Sequence, residues 1–413
     1  MRNFDSIDTV YQAIQGVVPG FDWNLAMSDA GSHRRLAKEM REIHDDMQVD
    51  LPPIPYARYH GTVAHRVVEQ FYCDHAGVPR GWNVRLCGSG MGAIRTTAQV
   101  ALGVFPGRLM RGSGSPSIPQ IVAGKVLYGL TPEVLGALAR NDRRVHMPEL
   151  VRVDAANTDE VVAAMQDEPA VLFLETVGNG KPMPVADVRE IMRRLWQTQG
   201  VVIIDNTFLT VSLLNFFYMF MRLAHEFSGP PRFMPVYVES LSKYYRAGEN
   251  DTDSGGLIVA PQDFIGLCDA LMQYGDVMPN SVLRQFPFDL FRAAFMVTQP
   301  VSENASAAAA FLRKHHKVRC VWYPDDNAVI LCETGGRAGG VLYFELDTDD
   351  REESSRLLEP HIPFRASFGH ADTTHVPFGK FGAAEPGMIR IAVGFREEPH
   401  ETVAKLEAAL GPR

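Results

Sequence analysis

Two runs of consecutive apolar residues constrain the fold of this 413-residue chain more than any other feature of its sequence. Residues 170–174 read AVLFL and precede Glu175, and residues 201–204 read VVII and precede Asp205. Strands that are apolar throughout are typical of parallel sheets, because helices cover both faces of such sheets. A helical pattern at residues 185–199 lies between the two runs and predicts the crossover helix. The sequence therefore predicts an α/β fold with a mostly parallel central sheet flanked by helices.

The remaining segments divide the chain into three predicted parts. Residues 1–59 hold a charged helical stretch and the proline-rich segment LPPIP, and we expect an arm rather than a domain. Residues 60–290 alternate between helical patterns and short apolar strands and are predicted to form the large domain. Residues 291–413 begin with a long helical pattern and continue with two strands and a last helix, which predicts a smaller α+β domain.

Composition and charge exclude several functional classes. The chain is 46% hydrophobic and 22% charged, and its net charge of −9 gives no long-range attraction to nucleic acids. The most apolar run, residues 209–221, is too short to cross a bilayer, and the first residues lack a signal-peptide pattern. The five cysteines form no Cys-x-x-Cys pair, and the 13 histidines show no metal-ligand spacing. We therefore expect a reduced, cytoplasmic enzyme that binds no metal, nucleic acid or membrane.

A lysine and an aspartate at the ends of predicted strands give the first chemical signal. A strand at residues 236–238 leads into Ser240, Ser242 and Lys243, where an amine lies among hydroxyls that can bind a phosphate. A lone lysine in such a place is usually solvated, and a lone aspartate such as Asp205 usually caps a turn. Together they suit pyridoxal phosphate, because the aspartate can keep the pyridine nitrogen protonated and the lysine can form a Schiff base.

A glycine-rich turn, CGSGMGAI at residues 87–94, precedes a predicted helix at residues 91–102. Its backbone N–H groups can approach a phosphate at the positive end of the helix. The turn also fits the dinucleotide fingerprint G-x-G-x-x-A through Gly88, Gly90 and Ala93, so an NADP-binding oxidoreductase is the alternative interpretation. The acidic residue that NAD requires about 20 positions later is absent, although an arginine there suits NADP. A third interpretation is a tight turn that only packs a helix on a strand.

Five segments in order resemble the Cys/Met-metabolism family of pyridoxal-phosphate-dependent enzymes, which includes cystathionine γ-synthase, cystathionine γ-lyase and methionine γ-lyase. The segments are GSGMGAI, LFLETVGNGKPMPV, VVIIDNTF, VESLSKYY and MIRIAVGFRE. The resemblance runs from about Tyr56 to the C terminus and implies the fold type I architecture and pyridoxal 5'-phosphate as cofactor. It implies γ- or β-elimination or replacement on an amino acid with a side-chain leaving group. It also implies a homo-oligomer, a dimer with shared active sites that is expected to assemble into a tetramer.

The resemblance also assigns residues to the cofactor. Lys243 matches the lysine that binds the cofactor covalently and moves protons, and Asp205 matches the partner of the pyridine nitrogen. Tyr128 matches the tyrosine that stacks on the cofactor ring and can exchange protons. The residues that match the phosphate ligands of the family are Ser240, Ser242, Gly90 and Met91, together with Tyr56 and Arg58 from a neighbouring subunit.

Four further residues are assigned to the substrate by the same resemblance. Arg390 matches the arginine that binds the α-carboxylate, and a guanidinium suits that role because it binds carboxylates in a bidentate manner. Asn179 matches the asparagine near that carboxylate and the cofactor hydroxyl. The segment SFGHADT, residues 367–373, stands where the family has S-L-G-G-x-E-S, which places Ser367 and Asp372 on the substrate side.

Departures from the family pattern concentrate where the family binds its substrate. The E-T-P-x-N-P pattern lacks both prolines, and the glutamate of S-L-G-G-x-E-S has become Asp372. The interval from Asp205 to Lys243 is long, and its extra residues, 214–231, are predicted to form a packed helix. Residues 107–125 are also lengthened, which weakens the match of Tyr128. We therefore expect retained cofactor chemistry with a changed substrate, as in specialised amino-acid biosynthesis; a catalytically degenerate scaffold is the non-enzyme alternative.

Overall fold

The computed structural model describes residues 63–109, 120–141, 150–165, 170–246, 255–272, 276–279, 290–348, 353–365, 367–377 and 388–412. The predicted arm, with Tyr56 and Arg58, lies outside these residues. The first half of the described chain contains α1 (Val63–Ala76), β1 (Trp82–Cys87), α2 (Gly90–Leu109), β2 (Gln120–Gly124), α3 (Thr131–Asn141), β3 (Leu150–Val153), α4 (Thr158–Ala164), β4 (Ala170–Glu175), α5 (Val188–Leu195) and β5 (Gly200–Asp205).

The second half continues with both helices and strands and ends in a helix. Its elements are α6 (Thr210–Leu213), α7 (Phe216–Glu226), β6 (Phe233–Ser240), a 3₁₀ turn (Tyr244–Arg246), β7 (Gly256–Pro261), α8 (Gln262–Met272), α9 (Leu290–Leu312), β8 (Val318–Trp322), α10 (Ala328–Thr334), β9 (Val341–Leu346), α11 (Glu353–Leu358), β10 (Thr374–Pro377), β11 (Met388–Ala392) and α12 (Pro399–Leu410). Within the described residues, no helix combines the length and the apolar character that a membrane span requires.

The large sheet confirms the predicted α/β architecture. Its strand order in the described chain is β1-β7-β6-β5-β4-β2-β3, and all neighbouring pairs from β3 to β6 are parallel. Strand β7 is antiparallel to both of its neighbours. Every residue of β4 and β5 is buried, as the two apolar runs predict. The carboxyl ends of β1, β4, β5 and β6 consequently lie at the same edge of the sheet.

Helix α5 covers this sheet, and its local sequence determines both where the helix begins and which face is buried. Asp187 caps it, because its side chain accepts a hydrogen bond from the Glu190 N–H. The buried residues of α5 follow helical spacing and give the helix one apolar face. The predicted crossover at residues 185–199 is longer than α5, because the backbone of Val185 instead bridges to Val177 and Asp187 ends the extended segment. The buried residues of α5 are Val188, Ile191, Met192 and Leu195.

The long interval between Asp205 and Lys243 contains the predicted extra helix, which is α7. The Asn215 side chain caps α7 by accepting a hydrogen bond from the Tyr218 N–H. Its phenylalanines pack edge-on or tilted against Trp82, Trp196 and Tyr237, so the insertion adds an aromatic layer under the sheet. The prediction of a packed helix in residues 214–231 is therefore confirmed.

The C-terminal residues form the smaller α+β part. Its sheet, in the order β10-β11-β9-β8, is antiparallel throughout. Helices α9 and α12 pack against each other. Helix α9 continues through an internal proline, Pro300. Helix α9 begins at Leu290, next to residue 291, where the sequence predicts the start of the smaller domain. This domain boundary stays a prediction.

Candidate active site

A cavity of about 150 Å³ opens where the parallel strands end. In the sheet register Glu175 lies opposite Asp205, and Asp205 lies opposite Val238, two residues before the end of β6. Ligands of open α/β sheets bind at this carboxyl edge. The predicted site residues that line the cavity are Gly90, Met91, Tyr128, Asn179, Asp205, Ser240, Ser242 and Lys243.

Lys243 lies in the turn after β6 and reaches across the cavity. Its Nζ donates a hydrogen bond to the Ser367 Oγ at 2.5 Å and lies 5.3 Å from the centre of the Phe368 ring. Burial, and secondarily the charge of Arg390, lower the pKa of Lys243 to about 8, while Asp205 raises it. A substantial fraction of this amine is therefore neutral near physiological pH, and the neutral form is the nucleophile and the base.

Asp205 ends β5 and is held in one orientation by Thr207. The Thr207 N–H and hydroxyl both donate to the Asp205 Oδ1, at 2.9 and 2.6 Å. The Ser240 N–H donates to the same threonine hydroxyl at 2.9 Å, which ties β5 to β6. Burial raises the pKa of Asp205, and the hydrogen bonds from Thr207 oppose that shift. A cationic ligand beside this carboxylate would relieve the cost of its burial.

The glycine turn and the two serines form a cradle at the start of α2. A Cβ on Gly90 would lie 2.8 Å from the Ser240 Cβ, so only glycine permits this close approach. The Ser240 and Ser242 hydroxyls lie 2.9 Å apart and face the N-terminus of a 20-residue helix. Hydroxyls and free N–H groups at a helix N-terminus suit a phosphate.

The strand before this turn argues against the dinucleotide alternative. The fingerprint belongs to a βαβ unit whose strand pairs with parallel neighbours. Strand β1 is instead at the edge of the described sheet and pairs with the antiparallel β7. The context that would support an NADP-binding oxidoreductase is therefore not met.

Glu175, which the sequence analysis noted only as the end of a strand, organises two predicted site residues. Its carboxylate accepts hydrogen bonds from the Tyr128 N–H at 2.6 Å and the Asn179 N–H at 3.1 Å. Burial, and next the nearby Asp205, raise the pKa of Glu175 to about 8. The sequence does contain a signal for Glu175. This residue ends one buried apolar strand, and the neighbouring strand ends at Asp205.

Arg390 reaches the site from the smaller sheet. Its Nη2 donates to the Ser367 carbonyl at 2.5 Å, and its Nε is buried without a hydrogen-bond partner in the described part of the chain. Tyr343 is its cross-strand neighbour and donates to the Asn179 Oδ1 at 2.7 Å. Sequence reasoning missed Tyr343, because its partner Asn179 is 164 residues away in the chain.

Ser367 and Asp372, which were predicted together, are separated in the structure. Ser367 adopts a positive φ of 78°, and its hydroxyl binds the Lys243 amine. The Asp372 side chain is 60% exposed, faces Arg396 at 3.8 Å and is not among the residues that line the cavity. The structure thus brings Ser367 to Lys243 and leaves Asp372 outside the cavity.

A buried acid, Glu239, lies on the opposite face of β6 from the cavity. Successive residues of a strand point to opposite faces, so Glu239 points away while Ser240 faces the site. The hydroxyls of Tyr72 and Tyr237 donate to its Oε2. Burial raises the pKa of Glu239 to about 8, although hydrogen bonds from Tyr237, Tyr245 and Tyr72 oppose the shift. No local sequence pattern indicates this cluster, because Tyr72 and Glu239 are 167 positions apart.

The donors of the cavity fit pyridoxal phosphate. Asp205 suits a pyridinium nitrogen, Lys243 suits an aldehyde, and the Ser240 and Ser242 cradle suits a phosphate. A cavity of this volume accommodates a six-membered aromatic ring. Among the described residues, no group of three or more His, Cys, Asp or Glu side chains could hold a metal ion. We call Asp205, Lys243 and the cradle, which match cofactor ligands of the family, the cofactor side, and Asn179, Arg390 and Ser367, which match its substrate ligands, the substrate side.

Comparisons with known proteins agree with this fit. The family model "Cys/Met metabolism PLP-dependent enzyme" matches residues 43–228. L-methionine gamma-lyase of Fusobacterium nucleatum subsp. polymorphum is 27% identical over 354 residues, which cover 78% of each chain. Cystathionine gamma-synthase of Haemophilus influenzae is 29% identical over 231 residues, 54% of this chain and 52% of that relative.

A solved structure shares the fold. Cystathionine gamma synthase from Xanthomonas oryzae pv. oryzae superposes with a TM-score of 0.69 at 19% identity, over 86% of this chain and 87% of that chain. The predicted fold type I architecture and the predicted cofactor, pyridoxal phosphate, are both confirmed. The chain is therefore similar, over most of its length, to the Cys/Met-metabolism family of pyridoxal-phosphate-dependent enzymes.

Proposed function

We propose that this enzyme catalyses elimination or replacement at the γ- or β-carbon of an amino acid that carries a side-chain leaving group. The observation that carries the proposal is the environment of the Lys243 amine, which donates a hydrogen bond to Ser367 and is influenced by the charges of Asp205 and Arg390. Similarity to a methionine gamma-lyase and a cystathionine gamma-synthase supports the reaction class. When bound, pyridoxal phosphate supplies an electron sink that stabilises negative charge at the substrate α-carbon.

In this proposal Lys243 moves the protons. Its Nζ removes the α-proton, and in γ-chemistry a second proton leaves Cβ before the γ-substituent departs. The lowered pKa of about 8 suits both accepting and releasing a proton near neutral pH. The Ser367 hydroxyl, at 2.5 Å, holds the amine on the substrate side of the cavity.

Asp205 and Tyr128 orient the cofactor ring. Thr207 fixes the Asp205 carboxylate, which would keep a proton on the pyridine nitrogen. Tyr128 lines the cavity, and the Glu175 carboxylate fixes its backbone N–H, so its ring can stack on a planar ligand. Ser240 and Ser242, with the Gly90 and Met91 backbone, would bind the phosphate.

Arg390 and Asn179 would bind the α-carboxylate of the substrate. The buried Nε of Arg390 has no partner within the described chain, and such a donor suits an anionic ligand. Asn179 lines the cavity and is buried. Compared with the family pattern, the cofactor side is retained whereas residues 367–373 differ. This contrast supports a specialised substrate, as in the synthesis of an unusual amino acid.

The assembly and the location of the enzyme belong to the same proposal. Tyr56 and Arg58 match the residues that complete a neighbouring subunit's phosphate site in the family, which favours a dimer with shared sites and a tetramer built from two dimers. Absence of a helix that could span a membrane in the described chain is consistent with a cytoplasmic enzyme. Sedimentation of the purified holoprotein is then expected to give a dimer or tetramer mass.

A substrate panel tests the reaction class. Purified holoenzyme is incubated with methionine and with norleucine, which replaces the thioether sulfur by a methylene, and with amino acids that carry oxygen-linked γ- or β-leaving groups. We expect ammonia and a 2-oxo acid, or a replacement product identified by mass, only where a leaving group is present. Equal conversion of norleucine, or no conversion of any member by cofactor-loaded protein, would overturn the proposal.

A further inference from the structure

We infer that Tyr343 is a positioning residue that joins Asn179 and Arg390 into one carboxylate-binding unit. This inference rests on the proposed function, because it assigns the α-carboxylate of an amino acid to that unit. Tyr343 matches no residue that the sequence resemblance assigned to the site. Its role follows from three observations: its strand register, its hydrogen bond and the charge beside it.

The register of the smaller sheet places Tyr343 next to Arg390. Strands β9 and β11 are antiparallel, and Tyr343 lies directly opposite Arg390. Directly opposed residues project their side chains from the same face of a sheet, where the side chains interact. Tyr343 is only 2% exposed, so its phenol must find its hydrogen-bond partners within the protein.

The phenol finds that partner in the loop after β4 of the large sheet. Its Oη donates to the Asn179 Oδ1 at 2.7 Å. Because the amide oxygen then accepts from the phenol, the amide NH₂ is the group left to donate to an anion. The Glu175 carboxylate already fixes the Asn179 backbone N–H at 3.1 Å. Asn179 is therefore held by its backbone from β4 and by its side chain from β9.

The guanidinium of Arg390 completes the unit. Burial raises the pKa of Tyr343 to about 12, and the adjacent Arg390 charge and hydrogen bond oppose that shift. Arg390 is anchored on its other side by the Ser367 carbonyl at 2.5 Å. Tyr343 thus touches both predicted carboxylate ligands and connects the two sheets that carry them.

Such a connection matters because two donors bind one carboxylate well only when their separation is fixed. Geometric errors of about 0.5 Å are enough to weaken a binding constellation. Removal of the phenol oxygen would free the Asn179 amide to rotate and would leave its buried Oδ1 without this donor. The expected defect is in carboxylate binding, with cofactor binding unchanged.

The test is Tyr343→Phe, which removes one oxygen atom and keeps the ring. Binding to holoenzyme is measured by titration calorimetry with two probes, glycine and methylamine, which share an amine but differ in the carboxylate. We expect the Kd of glycine to rise about 10-fold, because the released Asn179 amide no longer holds its hydrogen bond to the charged carboxylate, while the Kd of methylamine changes less than about twofold. With a turned-over substrate, KM should rise more than kcat falls.

Two further variants calibrate this result. Tyr323→Phe is the matched control, because Tyr323 is also buried in the smaller part and its hydroxyl donates to the Ser302 and Gly339 carbonyls. It should leave both probes unchanged. Arg390→Ala should raise the Kd of glycine more than Tyr343→Phe does, and it should also leave the Kd of methylamine unchanged.

An Asn179→Ala background gives an independent check that does not depend on the stability of a single variant. There, adding Tyr343→Phe should weaken glycine by less than about twofold, because the amide that the phenol positions is gone. An unchanged glycine Kd in Tyr343→Phe, equal weakening of both probes, or a full 10-fold loss in the Asn179→Ala background would overturn the inference. These experiments measure binding and not turnover. A failed substrate panel would therefore overturn the proposed reaction class without changing the measured Kd values of glycine and methylamine.

Discussion

The cofactor side and the substrate side of the site are built in different ways. On the cofactor side, Asp205 and Lys243 follow adjacent parallel strands, and the Thr207 hydroxyl bonds both strand ends together. On the substrate side, Asn179 lies in the loop after β4 of the large sheet, whereas Arg390 lies on β11 of the smaller sheet. One continuous sheet therefore fixes the cofactor groups, and the contact between two sheets fixes the substrate groups.

This difference explains where the chain departs from the family pattern. A change at a strand end of the large sheet would disturb the register that aligns Asp205 with its neighbours. Residues 367–373 form a loop that leads into the smaller sheet, so a change there does not alter the strand register of the large sheet. From this contrast we expect that cofactor chemistry and substrate choice can change separately in this fold, and the following variants test that separation.

Lys243→Ala is expected to have the largest effect, on the cofactor side. Removal of the amine removes both the covalent attachment and the base, so kcat should fall by roughly 10³-fold or more. The visible absorbance that borohydride abolishes in the wild type should be lost. Lys125→Ala, which removes an exposed lysine paired with Glu160, is the control and should keep both properties. A borohydride-sensitive chromophore in Lys243→Ala would contradict the assignment.

The two sides also differ in how much the sequence could predict. The groups of the cofactor side lie within short segments such as VESLSKYY, so residue order alone brings the Ser240 and Ser242 hydroxyls together. Buried apolar runs likewise predicted β4 and β5. Roles on both sides stay predictions that the variants test.

The residues that sequence reasoning missed depend on distant contacts. Tyr343 meets Asn179 across 164 positions, and Tyr72 meets Glu239 across 167 positions. No local pattern links such pairs, because strand order and register decide which residues meet. Asp372 is the converse case: a local motif predicted it for the site, and the backbone of the loop carries its side chain into solvent.

Glu239→Gln is expected to have an intermediate effect, on stability and its pH dependence. The pKa of Glu239 in the folded protein is about 8, above the ordinary value of 4.5, because burial disfavours the carboxylate. The stability that the protonated form provides is complete below about pH 4.5 and is lost as the pH rises through 8. Between pH 6 and 9 the wild-type Tm should therefore fall by roughly 3–6 °C more than that of Glu239→Gln.

Thermal unfolding of holoenzyme at both pH values checks this expectation. Glu160→Gln is the control, because hydrogen bonding to Lys125 lowers the pKa of Glu160 and this exposed carboxylate stays ionised throughout the range. It should keep the wild-type difference between pH 6 and 9. If Glu239→Gln kept that difference too, Glu239 would not be the buried acid that titrates. Substrate preference should not change, since Glu239 lies on the face of β6 opposite the cavity.

Asp372→Ala is expected to have the smallest effect, although the family motif places this residue beside the substrate. Its carboxylate is 60% exposed and lies 3.8 Å from Arg396, and an exposed ion pair of this kind contributes about 0–1 kcal/mol. The kcat/KM values for two accepted substrates should each change by less than about twofold, with their ratio unchanged. Arg396→Ala removes the other half of the ion pair and should have the same small effect.

A shift of more than about fivefold in the ratio of the two kcat/KM values, in Asp372→Ala alone, would place this residue on the substrate side. Only a side chain that contacts the substrate can discriminate between two substrates. An unchanged ratio would leave discrimination to the groups that the two sheets hold together around Arg390.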